Sequence, residues 1–489
     1  VHAAAVTVAE RVDRWLGVRA TSRVPAHDHL LQAAAVLVAV VAAASVLLPG
    51  LGATSLVDWD ESIYAAVARA VHEGSTVHLE WNGDPYDRKP PLLFWLIAAS
   101  YRVLGVSELA TRLPSALAGV ATVAVVALVV ARRAGVLAAL LGTSFLLGST
   151  LFVERGGRRA CTDALLLLFS VVAMALATAP RAARRNTLLA GVAVGLAILS
   201  KGAAGMVVPA ALLVGSPFDT SRRRLALRIA ALGAAVALPW YALQVWFRGS
   251  AFLASHVGHE LVQRALRPIH GIGAPWSYPL TVLWESAGPW VAVVVLVVLL
   301  RCLTDRDARR DVLPWASGAG IVLVAAMSMQ TKLPWYPLPA LPMLAVAAGL
   351  CVGGARSAPA ISLQRTIVVL LVVAASGALL SSAQARRTVL EDELQFEPFR
   401  ELGGRIAATL ADEPFIGATS EHPTLVFYGG RPMRVYARDE LSRLLRDPGE
   451  LPRAALVDEG EAPALLDLGA EEVARFGDRV LVRYAPLEG

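Results

Sequence analysis

Lysine is almost missing from this chain. Of 45 basic residues only Lys89, Lys201 and Lys332 are lysines; the other 42 are arginines. Charge of either sign is scarce, at 17% of 489 residues, where soluble chains carry about 25%. Apolar residues make up 56%, and mean hydropathy is +0.57. This shortage of charge excludes a soluble enzyme, a disordered chain and a nucleic-acid binder. The three cysteines, Cys161, Cys302 and Cys351, suggest no disulfide framework. Internal repeats are absent, whereas a transporter usually shows them. No Gly-x-Ser-x-Gly turn occurs, so a serine-triad reading has little support.

Long apolar runs are plentiful. They fall at about 30–49, 113–131, 135–153, 160–178, 187–199, 203–216, 227–247, 279–300, 312–329, 336–355 and 363–384. A membrane span needs about 20 residues, so the pattern predicts a mainly α, polytopic membrane protein of about 11 spans. The runs 187–199 and 203–216 are short for spans. Residues Val1 to Arg23 carry arginines and no cleavage site before an apolar run. Residues 1–29 therefore read as a cytoplasmic arm, and the first run as an uncleaved membrane helix.

Arginine placement sets the expected orientation. With the N-terminus inside, Arg132–Arg133, Arg181/Arg184/Arg185, Arg222–Arg224, Arg301/Arg306/Arg309/Arg310 and Arg356/Arg365 all fall in inside loops. The long connections 50–112 and 248–278 then lie outside, as does the tail. Net charge is +6, yet residues 385–489 hold 20 of the 39 acids and only 13 of the bases. Residues 30–384 are thus expected as one membrane domain and 385–489 as a separate extracytoplasmic domain.

Within the first outer loop, 60–73 has helical spacing and an acidic first turn, with Gly74 as a stop. Residues 92–104 are apolar but too short to span, so an interfacial helix is expected there. In the tail, 414–417, 425–428 and 454–458 read as short buried strands, and 439–446 and 462–475 as helices. Such alternation predicts a small α/β domain.

The three lysines are the clearest chemical signal. All lie at expected outer helix ends or in an outer loop. Snorkelling at the interface would serve equally well with arginine and would scatter to both faces. A compact ammonium meets a phosphate as a point charge. Acids are the second signal. Asp58, Asp60 and Glu61 follow the first span, with Trp59 among them. Helix capping would need only one acid. Asp163, near Arg158, lies within an apolar segment, where an ionisable residue is a functional candidate. An Arg158–Asp163 structural pair is the competing reading.

These residues lie within segments that resemble a known family. Asp60-Glu61-Ser-Ile-Tyr64 and Asn82-Gly83-Asp-Pro85-Tyr86-Asp-Arg-Lys89-Pro90-Pro91-Leu92 resemble the first outer loop of the aminoarabinose-transferase and protein O-mannosyltransferase group. Gly195-Leu-Ala-Ile-Leu-Ser-Lys201-Gly202, Pro239-Trp240-Tyr241 and Thr331-Lys332-Leu333-Pro334-Trp335-Tyr336 resemble later family segments, in the same order. The resemblance spans about 50–345 and includes all three lysines.

The resemblance implies a C-fold (GT-C) glycosyltransferase. It would use a polyprenyl-phosphate sugar on the outer face of the cell membrane. The acceptor would be a protein, a lipid or a cell-wall glycan. Asp60 is the expected base, with Glu61 beside it and Asp163 as a further catalytic candidate. Lys89, Lys201, Lys332 and Arg158 are the expected phosphate-binding groups. Tyr64, Tyr86, His259, Glu260, Arg264 and Tyr336 are expected around the substrate cavity. No cofactor is diagnosed, although a divalent cation is compatible with the fold. The outer loop 248–278 also carries His270; within it the spacing of His256, His259 and Glu260 could place metal ligands on one helix face or mark the polar face of an amphipathic helix. A lipid-linked sugar transporter or a non-catalytic scaffold of the same fold are the alternatives.

Overall fold

The structure is a computed structural model. It describes residues 26–179, 183–216, 218–269, 273–352, 387–410, 412–445, 453–467, 469–476 and 479–483. The expected N-terminal arm up to residue 25, the last expected span (363–384) and His270 lie outside the described residues. The chain forms two compact units. One comprises Val1–Leu51, Asp87–Leu93 and Arg112–Val389; the other comprises Gly52–Tyr86, Phe94–Thr111 and Leu390–Gly489.

The first unit is helical. Among the described residues, five helices are long and apolar enough to cross a membrane. They are His29–Leu47, Glu108–Ala134, Arg184–Val214, Thr220–Leu266 and Ala308–Ser328. Two further helix pairs are sharply bent. Val136–Leu147 meets Thr150–Arg158 at 79°, and Tyr278–Ala287 meets Trp290–Thr304 at 108°. Counting each bent pair as one span gives seven, against the 11 expected from the apolar runs. Part of the difference lies at 187–216. There a short 3-10 turn, Gly202–Met206, interrupts one continuous helical run rather than separating two spans. Thr162–Ala177 and Ala340–Cys351 are apolar but shorter.

Two local features place the chemistry of this unit. Arg184–Lys201 packs on Thr220–Phe252 through glycine. A Cβ on Gly195 would come within 2.5 Å of Val236, and one on Gly191 within 2.4 Å of Leu232. The long helix starts at Asp219, whose carboxylate accepts from the Ser221 and Arg222 amides. It kinks at Gly249 (φ 55°, ψ −132°), a conformation that favours glycine. Beyond the kink, Leu253–Gln263 winds as a wider π-helical segment, a form frequent at functional sites.

The second unit is mixed. Asp60–Glu73 is a helix that ends at Gly74 (φ 137°), as its sequence predicts, and Leu92–Leu104 is also helical. The ribbon Glu80–Trp81/Asp84–Pro85 turns through Asn82 and Gly83, both at positive φ, the usual chemistry of a two-residue hairpin. A five-stranded sheet runs in the order Met433–Val435, Ile416–Ala418, Ala454–Asp458, Arg479–Arg483, Glu471–Phe476. The first three strands are parallel, and the last two pair antiparallel. Leu402, Ile406, Leu425, Val426 and Leu481 belong to one buried cluster of this unit.

The tail differs from expectation in two places. Residues 425–428 belong to a helix, Pro423–Gly429, rather than a strand. Proline in the first helical turn is favourable, and burial of Leu425, Val426 and Phe427 overrides their β propensity. The expected helix 462–475 is short, Ala462–Leu466, and is followed by strand Glu471–Phe476. Gly469 (φ 93°) lies between them.

Candidate active site

In the first unit, four sequence segments bring charge together. Asp87 is buried, and its carboxylate accepts from Arg248 Nη2 at 3.0 Å. Its backbone carbonyl lies 2.8 Å from His256 Nδ1. A carbonyl only accepts, so Nδ1 carries the proton. The other ring nitrogen then accepts from Tyr241 Oη, 3.3 Å away. With both nitrogens engaged, His256 is poorly placed as a metal ligand. Its ring stacks on Phe252, with Trp240 and Tyr241 edge-on.

The Asp87 anchor delivers Lys89 to Glu260. Lys89 Nζ and Glu260 Oε2 form an ion pair with little exposure. The other oxygen, Oε1, accepts from Arg264 Nη2 at 2.9 Å and lies 3.5 Å from His259 Nδ1. One carboxylate thus holds an ammonium and a guanidinium side by side. Arg264 also donates to the Tyr336 hydroxyl. Burial pushes that hydroxyl above its usual value, Arg264 draws it down, and the charges of Glu260 and Asp163 push it up. The Thr331–Tyr336 segment is fixed to the same region, since the Gln330 and Thr331 amides donate to Ala265 O and Arg264 O.

Lys201 pairs with Asp163. The structure therefore gives Asp163 a lysine partner, where the structural alternative in the sequence had been Arg158. Next to Lys201, Gly202 (φ 59°) would place a Cβ 3.6 Å from Tyr241 Oη and 3.7 Å from His256 Nε2.

Two expected phosphate ligands have local structural work. Lys332 is buried and donates to the carbonyls of Met327 (2.7 Å) and Met329. It therefore caps the end of Arg306–Ser328. Burial pushes its ammonium below the usual value. Arg158 is fully buried and donates to Pro49 O at 2.8 Å and Leu47 O at 3.4 Å. It thereby satisfies carbonyls at the end of Ala26–Leu47. Trp335 is covered by the Arg155 guanidinium, 3.5 Å from the ring centroid.

In the second unit, Asp60 is half-buried in the first turn of its helix. The preceding Trp59 is exposed and has φ 65° and ψ −118°, a rare conformation for a residue with a side chain. Such strain is concentrated at functional sites. Glu61 is buried and accepts from the Val57 amide at 2.9 Å, so it braces the loop. Asp58 Oδ1 accepts from Thr424. Tyr64 and Tyr86 are buried edge-on against Phe94, as packed aromatics of this unit.

The sequence reading missed Asp87, Arg248 and Thr424. Asp87 stood two residues before Lys89, and Arg248 directly before the Gly249 kink. Thr424 carried no local signal, because its partners are more than 350 residues away. Among the described residues no group of three or more His, Cys, Asp or Glu side chains is placed to hold a metal.

Comparison with known proteins supplies an independent line. A family model described as dolichyl-phosphate-mannose-protein mannosyltransferase (PMT_2) matches residues 88–246. An uncharacterised protein of Aquifex aeolicus (strain VF5) is 29% identical over 290 residues, covering 56% of this chain and 65% of that protein. An undecaprenyl phosphate-alpha-4-amino-4-deoxy-L-arabinose arabinosyl transferase of Pseudomonas fluorescens (strain Pf0-1) is 26% identical over 310 residues, covering 59% of this chain and 52% of that protein. The chain thus spans less than two thirds of either relative's length. The crystal structure of ArnT from Cupriavidus metallidurans bound to undecaprenyl phosphate superposes with a TM-score of 0.76 at 22% identity. That match covers 91% of this chain and 97% of the other. The chain therefore shares the fold of that ArnT crystal structure, and part of its length is similar to the mannosyltransferase family model and to the arabinosyl transferase relative.

Proposed function

We propose that this chain moves a sugar from a polyprenyl-phosphate donor to an acceptor on the outer face of the cell membrane. The observation that carries this reading is the Lys89–Glu260–Arg264 cluster. Two cations share one carboxylate in a largely buried place, which leaves net positive charge suited to a phosphate. Lys201 beside Asp163 adds a second ammonium within the same unit. The ArnT crystal structure that shares this fold holds undecaprenyl phosphate, which supports a lipid phosphate as the ligand here.

The chemistry follows from the charges. Asp60 takes the acceptor hydroxyl proton as the acceptor oxygen bonds to the anomeric carbon. The bond from that carbon to the phosphate oxygen breaks, and the electron pair leaves with the polyprenyl phosphate. Lys89, Lys201 and Arg264 stabilise the charge that develops there. Preorganised cations in a water-poor site do this without reorganisation. Lys332 and Arg158 have weaker claims, since backbone carbonyls hold the Lys332 ammonium and Nη1 of Arg158. The acceptor would be a protein hydroxyl, a lipid or a cell-wall glycan. On this reading residues 30–384 form the membrane domain, with 385–489 outside.

Binding of undecaprenyl phosphate to purified protein in nanodiscs tests the cluster. Lys89→Ala is expected to weaken binding by about 10–100-fold, as for a lost hydrogen bond to a charged group. Lys89→Arg is expected to rescue only in part, because a planar fork does not replace a compact ammonium. Unchanged binding by Lys89→Ala would overturn the assignment of this cluster to phosphate.

A further inference from the structure

We propose that Thr424 is a positioning residue that holds the loop carrying Asp60 from both sides. The inference rests on the reading of Asp60 as the base. Thr424 is fully buried. Its amide donates to Asp58 Oδ1 at 2.9 Å, and its hydroxyl donates to the same oxygen at 2.8 Å. The hydroxyl also lies 3.0 Å from Ser62 Oγ. Asp58 and Ser62 stand two residues before and two residues after Asp60. One threonine, 362 residues away from Ser62, therefore holds Asp58 through its amide at all times, while its hydroxyl proton is shared between Asp58 and Ser62 and the Ser62 proton between Thr424 and Val57 O.

The loop between those flanks would not keep its shape unaided. Trp59 adopts φ 65° and ψ −118° directly before Asp60. A side-chain-bearing residue persists there only when its surroundings over-determine it. The Ser62 hydroxyl lies 2.8 Å from Val57 O, and Glu61 takes the Val57 amide. These bonds close the loop on itself. Thr424 supplies the external point of fixation.

Neighbouring residues of the C-terminal segment extend the grip upstream. The Leu56 amide donates to Tyr428 Oη at 2.9 Å, and that hydroxyl donates to Glu108 Oε1 at 2.9 Å. The Ser55 amide donates to Glu397 Oε1, and Thr54 Oγ1 donates to Glu393 Oε2. Thr424 and Tyr428 both sit on helix Pro423–Gly429, whose Leu425 and Val426 are in the buried core of this unit. Packing fixes the helix, and the helix fixes the loop. The C-terminal segment thereby acts on turnover through the geometry of Asp60, without touching substrate.

The choice of threonine makes the claim testable. Thr424→Val keeps the shape and the amide but loses the hydroxyl. Thr424→Ser keeps the hydroxyl. Full-length protein in nanodiscs would be assayed for polyprenyl-phosphate release from a panel of polyprenyl-phosphate sugars, with Asp60→Asn in parallel. Thr424→Val is expected to lower kcat about tenfold to a hundredfold, the cost of a misplacement of about 1 Å, with donor KM little changed. Thr424→Ser is expected to recover most of kcat. Ser62→Ala, which removes the contacts to Thr424 and Val57 O and keeps both Thr424 donors to Asp58, is expected to fall between wild type and Thr424→Val. It also keeps the test open should Thr424→Val fold poorly.

Wild-type kcat in Thr424→Val, with Asp60→Asn inactive, would overturn the clamp and leave the reading of Asp60 standing. Equal losses in Thr424→Val and Thr424→Ser would also overturn it, because the hydroxyl would then be irrelevant. Full turnover by Asp60→Asn would remove the reading on which the clamp rests, a separate result.

Discussion

Lys201 and Asp163 are ion-paired across 38 residues of sequence, and each sits at the helix end that suits its charge. Lys201 is in the last turn of Arg184–Lys201, and Asp163 is in the first turn of Thr162–Ala177. A cation is favoured at a helix C-terminus and an anion at an N-terminus. The pair thus ties two helix termini together.

Breaking this pair on one side leaves the Asp163 carboxylate, with only 3% of its side chain exposed, without its cation. Lys201→Met is expected to destabilise the protein by on the order of 3 kcal/mol, the usual cost of an uncompensated buried charge. Lys201→Met combined with Asp163→Asn is expected to cost less. Chemical unfolding in detergent would measure both. A double variant at least as unstable as the single one would contradict the pairing argument.

Glycine packing positions Lys201. Gly195→Ala places a methyl 2.5 Å from the Val236 side chain and 3.0 Å from Gly233 O, so the helices must part. Overpacking of this kind costs about 1–3 kcal/mol. Gly404→Ala is the matched control, because nothing lies within 4 Å of its added methyl. In a helix interior that change is expected to stabilise by roughly 0.5–1 kcal/mol. Similar Tm values for the two variants would contradict the packing account.

Tyr336 has a pH signature. Burial pushes its hydroxyl above the ordinary phenol value. The stability it contributes is therefore fully present below the unfolded pKa of about 10. It is lost as pH rises through the higher folded value. The stability difference between wild type and Tyr336→Phe is expected to stay constant from neutral pH up to about 10 and to shrink above. A difference that stays constant well above pH 10 would show that the folded protein does not raise the hydroxyl above its unfolded value of about 10.

Much of this was legible in the chain itself. Asp60–Glu73 and its Gly74 stop follow from local helix chemistry. The Lys89, Lys201, Tyr241 and Tyr336 segments stood out because lysine is so scarce and because they resemble a family. Their pairings were not legible. Lys89 and Glu260 are 171 residues apart, and no local rule links them. Lys332 reads as a phosphate ligand from its sequence alone, and its bonds to the Met327 and Met329 carbonyls at the end of the preceding helix follow from no local rule. Residues 425–428 read as a strand from their composition, and tertiary packing made them a helix. The runs 187–199 and 203–216 read as two because Ser200-Lys201-Gly202 interrupts the apolar pattern, while the backbone continues through a 3-10 turn as one helical run.

Release of polyprenyl phosphate from a panel of radiolabelled polyprenyl-phosphate sugars, by wild type and by Asp60→Asn, tests the central claim most directly. Wild type is expected to release lipid phosphate from one donor class. Asp60→Asn is expected to bind that donor normally and to turn over about 10²–10⁴-fold more slowly, the range for loss of a general base. Turnover by Asp60→Asn near the wild-type rate would contradict Asp60 as the base, and well-folded wild type that neither binds nor turns over any donor would contradict the glycosyltransferase account itself.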